Sequence, residues 1–119
     1  MGCIYCLFST IDGELKYVGQ TSSNPEYRAK QHVTAALEKL PGPLYDWIRT
    51  IWRRGGDINM HTLQSDVLRR DLDTFEEYWL GQFAGLLNAS DAKEGPTKDS
   101  AIATQVRVAL AASVKKRDD

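Results

Sequence analysis

The alternation of apolar and polar positions at the start of the chain describes a β-hairpin whose register can be worked out. Residues 3 to 10 and 14 to 20 read as strands, and Asp12-Gly13 between them is a strong turn signal. A two-residue loop at Asp12-Gly13 would pair Ile11 with Glu14 and send Tyr5 and Tyr17 to opposite faces. A three-residue loop, Ile11-Asp12-Gly13 with Gly13 left-handed, pairs Thr10 with Glu14 instead. Tyr17 then lies opposite Leu7, with Tyr5 its diagonal neighbour on the same face at roughly 7–8 Å. The same register collects Ile4, Cys6, Phe8 and Val18 on the other face, a clean apolar surface for a core. A one-residue slip would destroy that surface, so the pattern predicts the three-residue loop.

Beyond the hairpin the period lengthens to that of a helix. Asn24 can cap one, Pro25 suits its first position, and Ala29, Val33, Ala36, Leu37 and Leu40 form its apolar stripe. Arg28 and His32, four apart, share a flank beside that stripe. Pro41-Gly42-Pro43 ends this helix and starts a second, with a stripe of Leu44, Trp47, Ile48, Ile51 and Trp52 and a stop at Gly55-Gly56. Residues 57 to 65 return to alternation, Ile58, Met60 and Thr62 against Asn59, His61 and Leu63, and predict a third strand in which His61 is a polar strand residue. From Leu72 to Leu87 the stripe is again helical: Leu72, Phe75, Trp79, Leu80, Phe83, Leu86 and Leu87.

Glu76 falls in the middle of that last stripe, whereas Glu77 falls off it. A carboxylate on a core-facing stripe costs several kcal/mol unless paired or bound to metal. Asp73-x-x-Glu76 offers one explanation, a variant capping box, but Thr74-x-x-Glu77 would satisfy the same box and leave Glu76 free. Two tyrosines on one strand face, an arginine and a histidine on the following helix, and this carboxylate make a polar set with no evident structural purpose.

Composition changes this picture little. The 119 residues suit one domain with a single modest core, and 42% hydrophobic with 26% charged residues is ordinary for a soluble globular protein. Net charge is -1, so nucleic acid would have to be met by a local basic face. Arg49, Arg53 and Arg54 on the second helix, with Lys30 on the first, are candidates for contacting phosphate, although the three arginines also suit the helix dipole. Apolar runs are too short to span a bilayer, and an intracellular, cytoplasmic protein is expected. Cys3-x-x-Cys6 lacks a second cysteine pair, and residues three apart in a strand face opposite ways, which predicts two reduced, buried thiols.

Cys3-Ile4-Tyr5, Tyr17-Val18-Gly19, Arg28, His32, Glu76 in Glu-Glu-Tyr-Trp-Leu, and Asn88 in Leu-Leu-Asn together resemble the GIY-YIG nuclease pattern in order and spacing. The resemblance covers residues 1 to about 91, and departs from the family at Cys3, where glycine is usual. It implies an α+β fold, a small three-stranded antiparallel sheet flanked by helices, here with a C-terminal helical tail. It implies a DNA endonuclease that leaves 5′-phosphate and 3′-hydroxyl ends, with one Mg²⁺ or Mn²⁺ held by Glu76. Tyr5 would be the general base, Tyr17 and His32 would relay or position its proton, and Arg28 would supply the cation that a phenol needs near neutral pH. Asn88 would orient the site or contact phosphate, or else cap a helix. The rival reading is a catalytically silent nucleic-acid-binding module with the same fold.

By that resemblance residues 1–91 would form the nuclease domain. In 92–119, Lys93-Glu94-Gly95-Pro96 reads as a linker and Ala101 to Val114 as an amphipathic helix with Ile102, Val106, Ala109, Leu110 and Ser113 on one side, followed by Lys115-Lys116-Arg117. The stretch from Asn88 to Pro96 also looks like the link to DNA-binding repeats in phage-type relatives, for which the tail is too short. The helix packs on the domain, pairs with a second copy in a homodimer, or lies against DNA.

Overall fold

A computed structural model describes residues 1–88 and 95–112. Strands β1 (Gly2–Ser9), β2 (Leu15–Thr21) and β3 (Ile58–Val67) form an antiparallel sheet in the order β2-β1-β3. Helices α1 (Pro25–Leu37) and α2 (Pro43–Arg53) lie between β2 and β3 in the chain; α3 (Leu72–Leu80), entered through a 3-10 turn at Arg69–Asp71, and α4 (Ala101–Ala112) follow β3. The expected α+β fold with a three-stranded antiparallel sheet and a C-terminal helix is the fold observed. No helix among the described residues is long and apolar enough to cross a membrane.

The hairpin has the expected register across the tyrosines but reaches it by another route. Leu7 pairs with Tyr17 and Tyr5 with Gly19, so both tyrosines share a face. The loop, however, has four residues, Thr10 to Gly13: Gly13 N donates to Ser9 O (2.9 Å), Ser9 N donates to Glu14 O (3.1 Å), and Gly13 is left-handed at φ 71. An even loop alone would put the tyrosines on opposite faces. A bulge corrects it, since Phe8 pairs with Leu15 while Leu7 pairs with Tyr17, leaving Lys16 opposite nothing. The carbonyl thus released accepts the Leu87 N–H at 2.7 Å.

Because side chains alternate, β1 supplies two cores. Ile4, Cys6 and Phe8, with Leu15 and Val18, pack beneath α3 and α4 against Leu72, Trp79, Phe83, Ala103 and Leu110. Tyr5 and Leu7 face α1 and α2 and meet Ala29, Ala36, Leu44, Ile48 and Ile51. Thus α4 packs on the domain and shares its core, and the apolar face expected for homodimer formation is partly spent within the chain. Arg107 fastens it: Nε donates to Asp99 (2.6 Å), Nη1 to Leu15 O (2.9 Å) and Nη2 to Ala84 O (2.8 Å), with the guanidinium 5.5 Å from the Phe83 ring centre.

Three helix expectations need correction. α1 begins as expected, with Asn24 Oδ1 accepting from Glu26 N and Tyr27 N. It ends at Leu37, because Lys39 turns left-handed (φ 67), and Leu37 and Leu40 are exposed. α2 buries Leu44, Ile48 and Ile51 but leaves Trp52 exposed. α3 stops at Leu80 rather than Leu87, after which Phe83 folds back into the core and Ala84 N bonds Asp99 (2.8 Å). Neither capping box forms, as the α3 N-cap is Asp71 with no side-chain cap bond. The linker residues Lys93 and Glu94, the helix end at Ser113 and Val114, and Lys115-Lys116-Arg117 lie outside the described residues.

Candidate active site

Tyr5 stands at the centre of the α1-facing side of the sheet, with only 1% of its surface exposed. Its hydroxyl lies 3.0 Å from Nε2 of His32, which is itself buried. His32 therefore belongs to the buried stripe of α1, between Ala29 and Ala36, and not to the polar flank expected for it. Burial, reinforced by the nearby Arg28 cation, holds the imidazole pKa down to about 4, so the ring is neutral at pH 7. With its proton on Nδ1, Nε2 accepts the phenol O–H.

Tyr17 is only half-buried, its ring 6.3 Å from Tyr5 and 5.2 Å edge-on to His32. Tyr45 also neighbours His32, with ring centroids 6.3 Å apart. Burial and the Tyr17 phenol raise Tyr5 well above the ordinary phenol value, against the pull of Arg28. Burial and then Glu76 raise Tyr17, with Arg28 and the Tyr5 hydroxyl opposing. The arginine, both phenols and the carboxylate therefore act on one another electrostatically. Arg28 is exposed on α1, where Nη1 donates to Gln31 Oε1 at 3.1 Å, and its guanidinium is open to an incoming anion.

Gly19 makes the tyrosine packing feasible. A Cβ there would lie 2.8 Å from both the Tyr5 hydroxyl and Tyr17 Cε1. The phenols rest on bare backbone.

Glu76 approaches from the α3 side of edge strand β2, half-buried, and its partner is Gln20, whose Nε2 donates to Glu76 Oε2 (2.5 Å) and Asp73 Oδ1 (2.6 Å). The sequence reading missed Gln20, although alternation could have found it: two residues beyond Val18, it shares the face that α3 covers. Asn88 is not a helix cap. Its side chain lies along the outer edge of β2 like a short extra strand, Oδ1 accepting from Val18 N (3.1 Å) and Nδ2 donating to Val18 O (2.6 Å).

The expected phosphate contacts divide. Arg49 is occupied by Ala36 O (2.8 Å), Leu40 O (2.9 Å) and Asp46, so it ties α2 to the end of α1. Arg53 and Arg54 are exposed at the end of α2, and Lys30 lines a groove of about 600 Å³ with Val33, Trp52 and Met60. None of Tyr5, Tyr17, His32 or Glu76 lines that groove. Cys3 and Cys6 are free and buried, and burial pushes the Cys6 thiol up to about 12. His61 is exposed on β3.

The oxygen donors around Glu76 suit a hard divalent cation. Among the described residues no group of three or more His, Cys, Asp or Glu gathers to hold a metal, so a cation there would keep much of its water. The family model of the GIY-YIG catalytic domain matches residues 1–88. Comparison with curated proteins and with solved structures gives no match.

Proposed function

The chain belongs to the GIY-YIG catalytic-domain family, a family of divalent-metal-dependent nucleases, and on that footing we propose that it is an endonuclease cutting DNA to 5′-phosphate and 3′-hydroxyl ends. The observation that carries the reading is the buried Tyr5–His32 hydrogen bond, 3.0 Å long, beneath Tyr17 and Arg28. Neutral His32 accepts the Tyr5 O–H and so orients the phenol; once ionised under the pull of Arg28, Tyr5 takes the proton of the attacking water. Tyr17, the more exposed phenol, bridges the buried pair and the substrate. Arg28 pulls both phenols toward ionisation and meets the charge that grows on phosphate in the transition state. Glu76 would hold the metal, Mg²⁺ or Mn²⁺, which supplies positive charge at the leaving 3′-oxygen and offsets the upward push of the carboxylate on the phenols. Asn88 fixes the strand that carries Tyr17.

The test is supercoiled plasmid incubated in Mg²⁺, Mn²⁺ or EDTA, with Glu76→Gln and Arg28→Ala beside wild type. Metal-dependent nicking or linearisation, lost in both variants, is expected. DNA bound but uncut on duplex, branched and damaged substrates would instead mark a silent binding module. Tyr5→Phe should cost more rate than Tyr17→Phe; the reverse order would exchange their roles.

A further inference from the structure

We propose that Gln20 is a positioning residue, an uncharged clamp that fixes the Glu76 carboxylate for its cation and uses Asp73 as a second anchor. The inference rests on the nuclease reading above and concerns the same site. Gln20 lies opposite Ile4 on β2, so its side chain points to the side covered by α3. On α3, Asp73 and Glu76 are three residues apart and present their carboxylates on one face. One nitrogen reaches both, at 2.6 and 2.5 Å.

The chemistry of the amide matters. Its nitrogen carries two hydrogens and no charge, so it can donate once to each carboxylate. Lysine or arginine could bridge the same pair, but would cancel the charge a divalent cation needs. No ion pair among the described residues neutralises Asp73 or Glu76. The clamp therefore ties Glu76 to Asp73 without neutralising the carboxylate that would hold the cation. It also joins the carboxylate to the strand of the phenols, since Gln20 directly follows Gly19, on which Tyr5 and Tyr17 rest. A glutamate left free on a helix would sample several rotamers and lose that freedom on binding metal. Partners that orient a ligating carboxylate typically account for 10- to 100-fold in metal affinity.

The experiment is Mn²⁺ binding to the full chain, followed by electron paramagnetic resonance, with melting temperature as the control for folding and the Mg²⁺ half-saturation of cleavage as a second readout. Gln20→Leu should weaken Mn²⁺ by roughly 10- to 100-fold. It should raise the Mg²⁺ half-saturation in parallel and leave most of the rate recoverable at high Mg²⁺, with the half-saturation for DNA unchanged. Gln20→Lys, which still donates to both carboxylates, should keep the fold and nevertheless weaken Mn²⁺ through its charge. Asp73→Asn should have a smaller effect and add nothing in the Gln20→Leu background. Unchanged Mn²⁺ affinity in Gln20→Leu or in Gln20→Lys would overturn the proposal. So would an Asp73→Asn loss as large as that of Glu76→Gln and additive with Gln20→Leu, since Asp73 would then be a ligand itself. Wild-type protein with no Mn²⁺ affinity would bring down the nuclease reading along with the clamp, whereas the variant results bear on the clamp alone.

Discussion

Replacing Gly19 with alanine isolates the geometry of the tyrosine pair from every change in chemistry. The added Cβ would lie 2.8 Å from the Tyr5 hydroxyl, 2.9 Å from its Cζ and 2.8 Å from Tyr17 Cε1. Unstrained contacts between such atoms lie near 3.5–4.0 Å. The rings or the strand must therefore shift by roughly 0.6–1 Å, and Tyr5 is too buried to swing aside. Overpacking of this kind costs about 1–3 kcal/mol, and a domain of this size loses roughly 3–6 °C of Tm per kcal/mol. A displacement approaching 1 Å at a reacting group costs about 100-fold in rate. Gly85→Ala is the control: its φ of +72 strains any side chain, but nothing lies within 4 Å of the added carbon. It should lose about 1–2 kcal/mol of stability and keep wild-type cleavage per folded molecule. Thermal melts and single-turnover cleavage, both at saturating Mg²⁺, separate the two. Wild-type melting and cleavage in Gly19→Ala would refute the packing argument outright. A stability loss without a rate loss would refute its catalytic half.

Other consequences follow from buried contacts. Since His32 is held near 4 when folded and titrates near 6.5 when unfolded, the unfolded chain binds more protons between those values. His32 thus contributes stability above about pH 6.5 that drains away as pH falls, amounting to about 2 kcal/mol by pH 5. Urea titrations at pH 7 and pH 5 should show that loss in wild type and not in His32→Gln; equal losses would remove His32 as the cause. Asn88→Ala strips both partners from Val18 and should cost about 1–3 kcal/mol, with hydrogen exchange at β2 speeding up; unaltered exchange there would count against it. Arg107→Ala abandons Asp99, Leu15 O and Ala84 O together, a loss of about 2–4 kcal/mol. Limited proteolysis should then cut first within 95–112, and Arg107→Lys should rescue it poorly, because a point charge cannot fork to three acceptors.

Alternation and capping signals were enough to define the three strands, the face shared by the tyrosines and the cap at Asn24, because both are local; the assembly of the strands into one sheet came from the family resemblance. The local pattern could not reveal the bulge at Lys16, whose carbonyl is bonded by Leu87 from far along the chain. For the same reason α3 seemed longer than it is. Phe83, Leu86 and Leu87 keep helical spacing, but Ala84 finds its partners in Asp99 and Arg107 instead of in a continuing helix. The four-residue spacing from Arg28 puts His32 on a flank of α1; the Tyr5 hydroxyl that makes its burial tolerable comes from another element. Arg49 illustrates the opposite limit. A basic cluster in sequence does not show which cation is already engaged by neighbouring carbonyls.

The bulge at Lys16 has an implication for how this hairpin can change over time. What the site needs is the pairing of Leu7 with Tyr17, which keeps Tyr5 and Tyr17 on one face, and not a fixed chain distance. A four-residue loop meets that need with one bulged residue here, and would meet it equally with none if the strand were one residue shorter. Deleting Lys16 should therefore leave both phenols facing α1, and so should deleting one loop residue while the bulge stays. The segment between the two motifs can shorten by one step at the bulge, and the cost falls on the docking of Leu87 rather than on the tyrosines.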